Sequence, residues 1–244
     1  MEIQWISILL LIPLSAAFFA FRSMKDFQDK PDKNIENGLF LVCSELKIED
    51  IQKIIHLLNL KSLKRRINPL LVSFEILKKG GGKSIVLFGP KSLIQELELL
   101  KLIELEDYCL KMDRSKLHSF EIDKTDKNIK KNVTQQNFDD SFHLNYDEYL
   151  FIQIVATKDT GLISSKGVQV SVREVTAAFD SSRRLEIGRR FEKLLSDRFS
   201  LARVKKQIPS VKIFENYQDR SLIPAESKRF ILNPDDLWQI IHSV

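Results

Sequence analysis

The chain has 244 residues, a net charge of +5 from 38 Lys and Arg against 33 Asp and Glu, only two cysteines and four histidines. Two widely spaced thiols, Cys43 and Cys109, exclude a disulfide framework and fit core thiols of a reducing compartment. His56, His118, His143 and His242 show neither His-x-x-x-His spacing nor a companion Cys pair, which excludes a recognisable zinc site, and the small basic excess suits anionic lipid or nucleic acid without choosing between them.

From Ile3 through Phe21 the chain runs nineteen residues without a charge, long enough to cross a hydrocarbon core of about 30 Å. Glu2 precedes this run and Phe18, Phe19 and Phe21 close it, unlike the basic start and small-residue end of a cleaved leader. A retained transmembrane helix is expected, kinked at Pro13. Arg22, Lys25, Lys30 and Lys33 follow the span and no Lys or Arg precedes it, so the expected location is the cell membrane, single-pass, with a cytoplasmic body.

Residues 23–37 alternate in charge and contain Pro31, the composition of a flexible linker. Leu39 to Cys43 is a short apolar run, and Ile48, Ile51, Ile54, Ile55 and Leu58 recur at helical spacing, giving a strand and then a helix. Leu70 to Leu77 and Ser84 to Phe88 flank Gly80, Gly81 and Gly82, a hairpin signal. Pro90 opens a predicted helix bearing Leu93, Ile94, Leu97, Leu100 and Ile103, and Glu106 to Met112 looks like a further strand. In order these make strand, helix, strand, strand, helix, strand, the split βαβ plan.

Leu117 to Ile122 alternates, and the polar stretch Asp123 to Asp140 has little to bury. Tyr149 to Thr157 and Val168 to Val175 are strong strand signals that predict a second hairpin. Arg183 to Ala202 forms a predicted helix with Ile187, Phe191, Leu194, Leu195 and Phe199 on its apolar arc. Val211 to Phe214 suggests a last strand, and Pro234 to His242 a short helix capped by Asn233. The expected fold class is therefore α+β: an N-terminal transmembrane helix (1–22), the linker (23–37) and two ferredoxin-like subdomains, 38–114 and 115–244, the second ending in a helix.

No motif carries chemistry. Gly80-Gly81-Gly82-Lys83-Ser84 ends like a phosphate-binding loop, but Leu77 stands where that loop needs glycine, and a strand follows where a helix must offer its NH groups to the anion. There is no Gly-x-Ser-x-Gly elbow and no carboxylate pair that stands out as acid and base, so an enzyme is not indicated and no cofactor is expected. Two basic clusters could contact phosphate or a partner: Lys64, Arg65 and Arg66 beside Lys61, and Arg183, Arg184, Arg189 and Arg190. The bland alternative for the second is a solvated helix face with pairs such as Glu186 to Arg190.

Several segments together show a likeness. Val72-Ser73-Phe74-Glu75-Ile76, Ser84 to Phe88, Pro90-Lys91-Ser92-Leu93, Leu105-Glu106-Asp107-Tyr108, Glu148 to Ala156 and Phe230 to Leu237 with Ile241-His242 resemble, in the same order, the membrane-proximal region of conjugative type IV secretion coupling ATPases. Those proteins continue into a nucleotide-binding motor with a true phosphate-binding loop, which has no counterpart here. The resemblance implies a membrane-anchored, non-enzymatic accessory or adaptor module whose partners are the lipid bilayer and a protein, either a motor ATPase or a second copy. The alternative function is a membrane-tethered nucleic-acid-binding protein.

Overall fold

A computed structural model describes residues 30–63, 70–108, 116–124, 143–158, 167–199, 201–203, 210–222 and 230–244. Among these residues nine strands make one sheet: β1 (Asn37–Val42), β2 (Leu71–Lys79), β3 (Gly82–Pro90), β4 (Leu102–Leu105), β5 (Leu117–Lys124), β6 (Tyr149–Lys158), β7 (Val168–Ala177), β8 (Leu201–Arg203) and β9 (Phe230–Leu232). Their order is β4-β1-β3-β2-β6-β7-β5-β8, with β9 added to β7, and every pairing is antiparallel.

The centre of the sheet is the β2–β6 seam, paired from Leu71↔Thr157 to Lys79↔Tyr149 with Glu75↔Gln153 in the middle. Both strands are buried on both faces, which is why Tyr149 to Thr157 is apolar at consecutive positions and does not alternate. Outward from this seam the two sides repeat one pattern, β2-β3-β1-β4 and β6-β7-β5-β8. The halves are thus related by a local two-fold at Glu75 and Gln153.

Three helices cover one face: α1 (Ile48–Leu63), α3 (Ser181–Phe199) and α5 (Pro234–Ser243). Their buried residues, among them Ile51, Ile54, Leu58, Ile187, Phe191, Leu237 and Ile240, join Phe74, Ile76, Ile152 and Ile154 in one core. The short α2 (Lys91–Ile94) adds Leu93 and Ile94 to it. The opposite face carries α4 (Ser210–Gln218), whose Phe214 and Tyr217 pack on Leu117, Phe151 and Val175.

The expected architecture is corrected. The body is one continuous sheet and not two separate units, because β2 and β6 hydrogen bond along their whole length and bury one shared core; within it the strand orders of the two halves are β4-β1-β3-β2 and β8-β5-β7-β6. No helix among the described residues is long and apolar enough to cross a membrane, and the span expected at Ile3 to Phe21 lies outside those residues.

Three local expectations also change. The helix expected from Pro90 to Ile103 ends at Ile94. Leu97 NH then bonds Ile94 O and Leu100 NH bonds Leu97 O in tight turns, and Lys101 O accepts from Cys43 NH. Joining the sheet gives β1 an outer neighbour, so the next strand is Leu102–Leu105, earlier than the expected Glu106 to Met112, of which 109–112 are outside the described residues. The strand expected at Val211 to Phe214 is helix α4, since Ile213, Phe214 and Tyr217 bury one helical stripe that four residues are too few to reveal. Cys43 is an exposed free thiol and not a core residue.

The glycine-rich hairpin is a two-residue loop, Gly80-Gly81, between paired Lys79 and Gly82. Gly80 has φ +53°, the backbone conformation such loops demand and side chains resist. Lys83 Nζ donates to Ile241 O at 2.6 Å, placing a cation where the carbonyl end of α5 carries partial negative charge. At the other end of α5, Asn233 Oδ1 accepts from Asp236 NH at 2.7 Å, the expected cap.

His242 stacks on Trp238 with ring centroids 4.4 Å apart, and its Nδ1 lies 2.9 Å from Trp238 O. Burial pushes the imidazole below its usual range, against the opposing Trp238 hydrogen bond and with a smaller push from the Lys83 ammonium. A lowered folded value means that stability is complete above the unfolded value of about 6.5 and is lost as pH falls through the folded one. Denaturant midpoints measured from pH 8 to 5 should therefore decline less in His242→Gln than in the parent, and parallel declines would contradict this role.

Candidate contact site at one end of the sheet

Tyr149 at the start of β6 pairs with Ala177 at the end of β7, so the segments just before and just after this pair leave the sheet at the same end. Before β6, Glu148 NH bonds Asn145 O at 3.0 Å and closes a turn over Asn145 to Glu148. The Glu148 carboxylate is buried. It accepts from Asn145 N and Nδ2 at 2.8 and 2.9 Å and from Arg183 Nε and Nη2 at 2.7 and 3.0 Å. Arg183 also donates to His143 O at 3.1 Å and to Glu186 at 2.8 Å.

This fork of two parallel bonds ties the turn to α3. The Arg183 guanidinium holds the Glu148 carboxyl below its usual range and does the same to Glu186, while both carboxylates raise Arg183 in turn. The turn presents Tyr146, which is 87% exposed.

After β7 a second bend is fastened in the same manner. Asp180 caps α3 through Ser182 NH at 3.1 Å, and hydrogen bonds from Ser182 hold its carboxyl below the usual range. Arg184 is buried and donates to Ala178 O at 2.6 Å and Phe179 O at 3.3 Å. The bend presents Phe179, which is 86% exposed.

Lys79 Nζ sits 4.9 Å from the ring centroids of both Tyr146 and Tyr149. Tyr149 in turn stacks on Phe151 at 5.7 Å, and Phe151 on Tyr108 at 6.1 Å. Two large aromatic side chains are thus held in water on bends fastened by the buried Glu148 and Arg184. Rings exposed on pinned backbone lose little freedom when covered, which is the property of anchor residues in protein interfaces.

The arginines singled out by sequence are separated in role. Arg183 and Arg184 hold the two bends, Arg190 pairs with Glu186, and Arg189 is exposed. They do not form one cationic face, because Arg184 is turned into the protein. Lys64, Arg65 and Arg66 lie outside the described residues. Sequence reasoning missed Tyr146 and Phe179. The available signal was an aromatic residue set inside turn-forming neighbours, Asn145-Tyr146-Asp147 and Phe179-Asp180-Ser181.

A second polar concentration lies under α4. Glu75, wholly buried at the seam, accepts from Arg220 Nε at 2.8 Å, Gln153 Nε2 at 3.1 Å, Ser73 Oγ at 3.2 Å and the Tyr108 hydroxyl. Gln153 donates to Tyr217 O at 2.8 Å and accepts from Arg173 Nη1 at 3.3 Å, and Arg173 faces Glu121. Arg220 adds a forked contact with Asp107 at 2.7 and 3.3 Å and stacks over Phe88. Its own backbone takes φ +47° at the end of α4, so the guanidinium reaches Glu75 from a strained position.

These bonds fasten α4 and the segment at Asp107-Tyr108 to the sheet. Every partner named is another side chain or carbonyl of the network, so its evident role is to position these elements. Among the described residues no three His, Cys, Asp or Glu side chains gather as metal donors.

Fold and surface define an α+β protein on a single antiparallel sheet with a pinned aromatic edge. Compared with known proteins, the chain matches no family model and no curated sequence.

Proposed function

We propose that this chain is a non-enzymatic accessory or adaptor module that works by binding another protein at a membrane, in the manner of the front part of the secretion coupling ATPases that its segments resemble. The observation that carries the reading is the exposure of Tyr146 and Phe179 on bends fastened by Arg183 and Arg184. A partner that covers both rings removes apolar surface from water at low entropic cost. The membrane setting rests on the sequence alone, through the uncharged run from Ile3 to Phe21 with Lys and Arg only after it. The body is then cytoplasmic, and the partner is a motor ATPase or a second copy.

A photo-crosslinking side chain placed at 146 or 179 in native membranes should give one discrete adduct, identified by mass as a motor ATPase or this chain itself. Tyr146→Ala with Phe179→Ala should shift folding stability by less than about 0.5 kcal/mol, since neither ring is buried, while removing an adduct trapped from Lys79. The nucleic-acid alternative makes the opposite forecast. If no adduct forms and the full chain binds DNA in a salt-dependent way that is lost on Arg189→Ala with Arg190→Ala, the contact reading is wrong.

A further inference from the structure

The two faces of the sheet are built differently. Under α1, α3 and α5 the sheet is apolar, with Phe74, Ile76, Ile152, Ile154 and Val172 in one core. The face beneath α4 carries Ser73 and Glu75 on β2, Gln153 on β6, Arg173 on β7, and Ser119 and Glu121 on β5, none more than 4% exposed. Glu75 pairs with Gln153, Gln153 with Arg173 and Arg173 with Glu121, so these four stand in one row across the sheet.

α4 rests on this face through little apolar surface. Phe214 and Tyr217 make one small cluster with Leu117, Phe151 and Val175, and Leu222, beyond the helix, makes another with Leu71 and Val155. The remaining ties are polar: Tyr217 O accepts from Gln153, and Arg220 spans Glu75 and Asp107. An intact ion pair adds little to such closure, because both charges recover hydration once the helix lifts. Lifting also frees Arg220 from its φ of +47°. The opposite face offers no comparable release, since lifting a helix there wets an apolar core.

We infer that α4 and the residues from Asp219 to Leu222 form a lid that opens as one unit, uncovering the charged row while the sheet and the other helices stay folded. Openings of this kind use the part of a fold with the least buried apolar contact. Removing Arg220 alone acts on the closed form, where it leaves Glu75 covered and without its guanidinium, and opening relieves this by admitting water.

The test is thiol labelling of the full chain in detergent micelles, in a Cys43→Ser, Cys109→Ser background. Ser119→Cys reports on the lid: Ser119 is buried, lies opposite Val175 and two residues from Leu117, and its hydroxyl has no partner to lose among the described residues. Val172→Cys reports on the other face, where labelling requires the helices to leave. A water-soluble maleimide should label Ser119→Cys about a hundredfold faster than Val172→Cys. Its rate should also depend less on urea, since opening the lid exposes less surface than unfolding the body. Arg220→Ala should speed labelling at 119 about a hundredfold. Ile51→Val, which weakens only the core under α1, should speed labelling at 172 several-fold and leave 119 unchanged. Equal rates at 119 and 172, equal urea dependence, no response at 119 to Arg220→Ala, or an effect of Ile51→Val shared by both sites would each overturn the proposal. α4 would then leave the sheet only when the whole body unfolds.

Discussion

Arg220→Ala is expected to cost about 3–5 kcal/mol, because it leaves the wholly buried Glu75 carboxylate without the guanidinium 2.8 Å away. Desolvation decides the size. In water a lost ion pair would be replaced by solvent, whereas Glu75 lies beneath α4 and keeps only neutral donors, Gln153, Ser73 and Tyr108, within hydrogen-bond distance. The Asp107 contact adds little, since that side chain is a third exposed and can be hydrated.

Two companion variants separate charge from backbone. Arg220→Gly also loses the guanidinium but relieves the positive φ, so it should be more stable than Arg220→Ala by about 1 kcal/mol. Glu75→Gln combined with Arg220→Met should recover part of the loss, since no uncompensated charge is then buried. Urea unfolding midpoints of the four proteins give the comparison. Equal stabilities for Ala and Gly would remove the strain argument, and a loss below about 1 kcal/mol for Arg220→Ala would remove the network from any part in holding α4.

Ile154→Ala should cost about 2–5 kcal/mol through lost transfer energy and the cavity left behind. Ile154 is fully buried on β6, opposite Phe74 across the seam, in the core shared by α1, α3 and α5. The position also tests whether the halves unfold together. Since β2 and β6 share nine pairs, the variant should lower hydrogen-exchange protection in β3 and in β7 by similar amounts, although these strands lie in different halves. Loss confined to β7 would mean that the halves are separate folding units after all.

Much of the element order is legible in the sequence. The helical spacing of Ile51, Ile54, Ile55 and Leu58, the triple glycine between two apolar runs, and Asn233 before Pro234 each encode a local event, and local events are settled by nearby residues. The candidate site was legible only in part. Arg183 and Arg184 stood out as charge, but that they point at Glu148 and at the Ala178 and Phe179 carbonyls, and so fasten the two bends, depends on where α3 packs.

By itself the sequence determined that this is an α+β chain with strong central strands, a glycine hairpin and a capped final helix, because propensity, periodicity and capping act over a few residues. Tertiary structure alone decided three further matters. The residues from Leu97 to Leu105 turn and join β1 because that strand needs an outer partner for its backbone groups. Val211 to Phe214 is helical because the open sheet face accepts Phe214 and Tyr217 on one stripe. The two halves became one body because β2 and β6, each apolar on both faces, satisfy their edges against each other, and edge pairing between segments some eighty residues apart leaves no mark on either segment read alone.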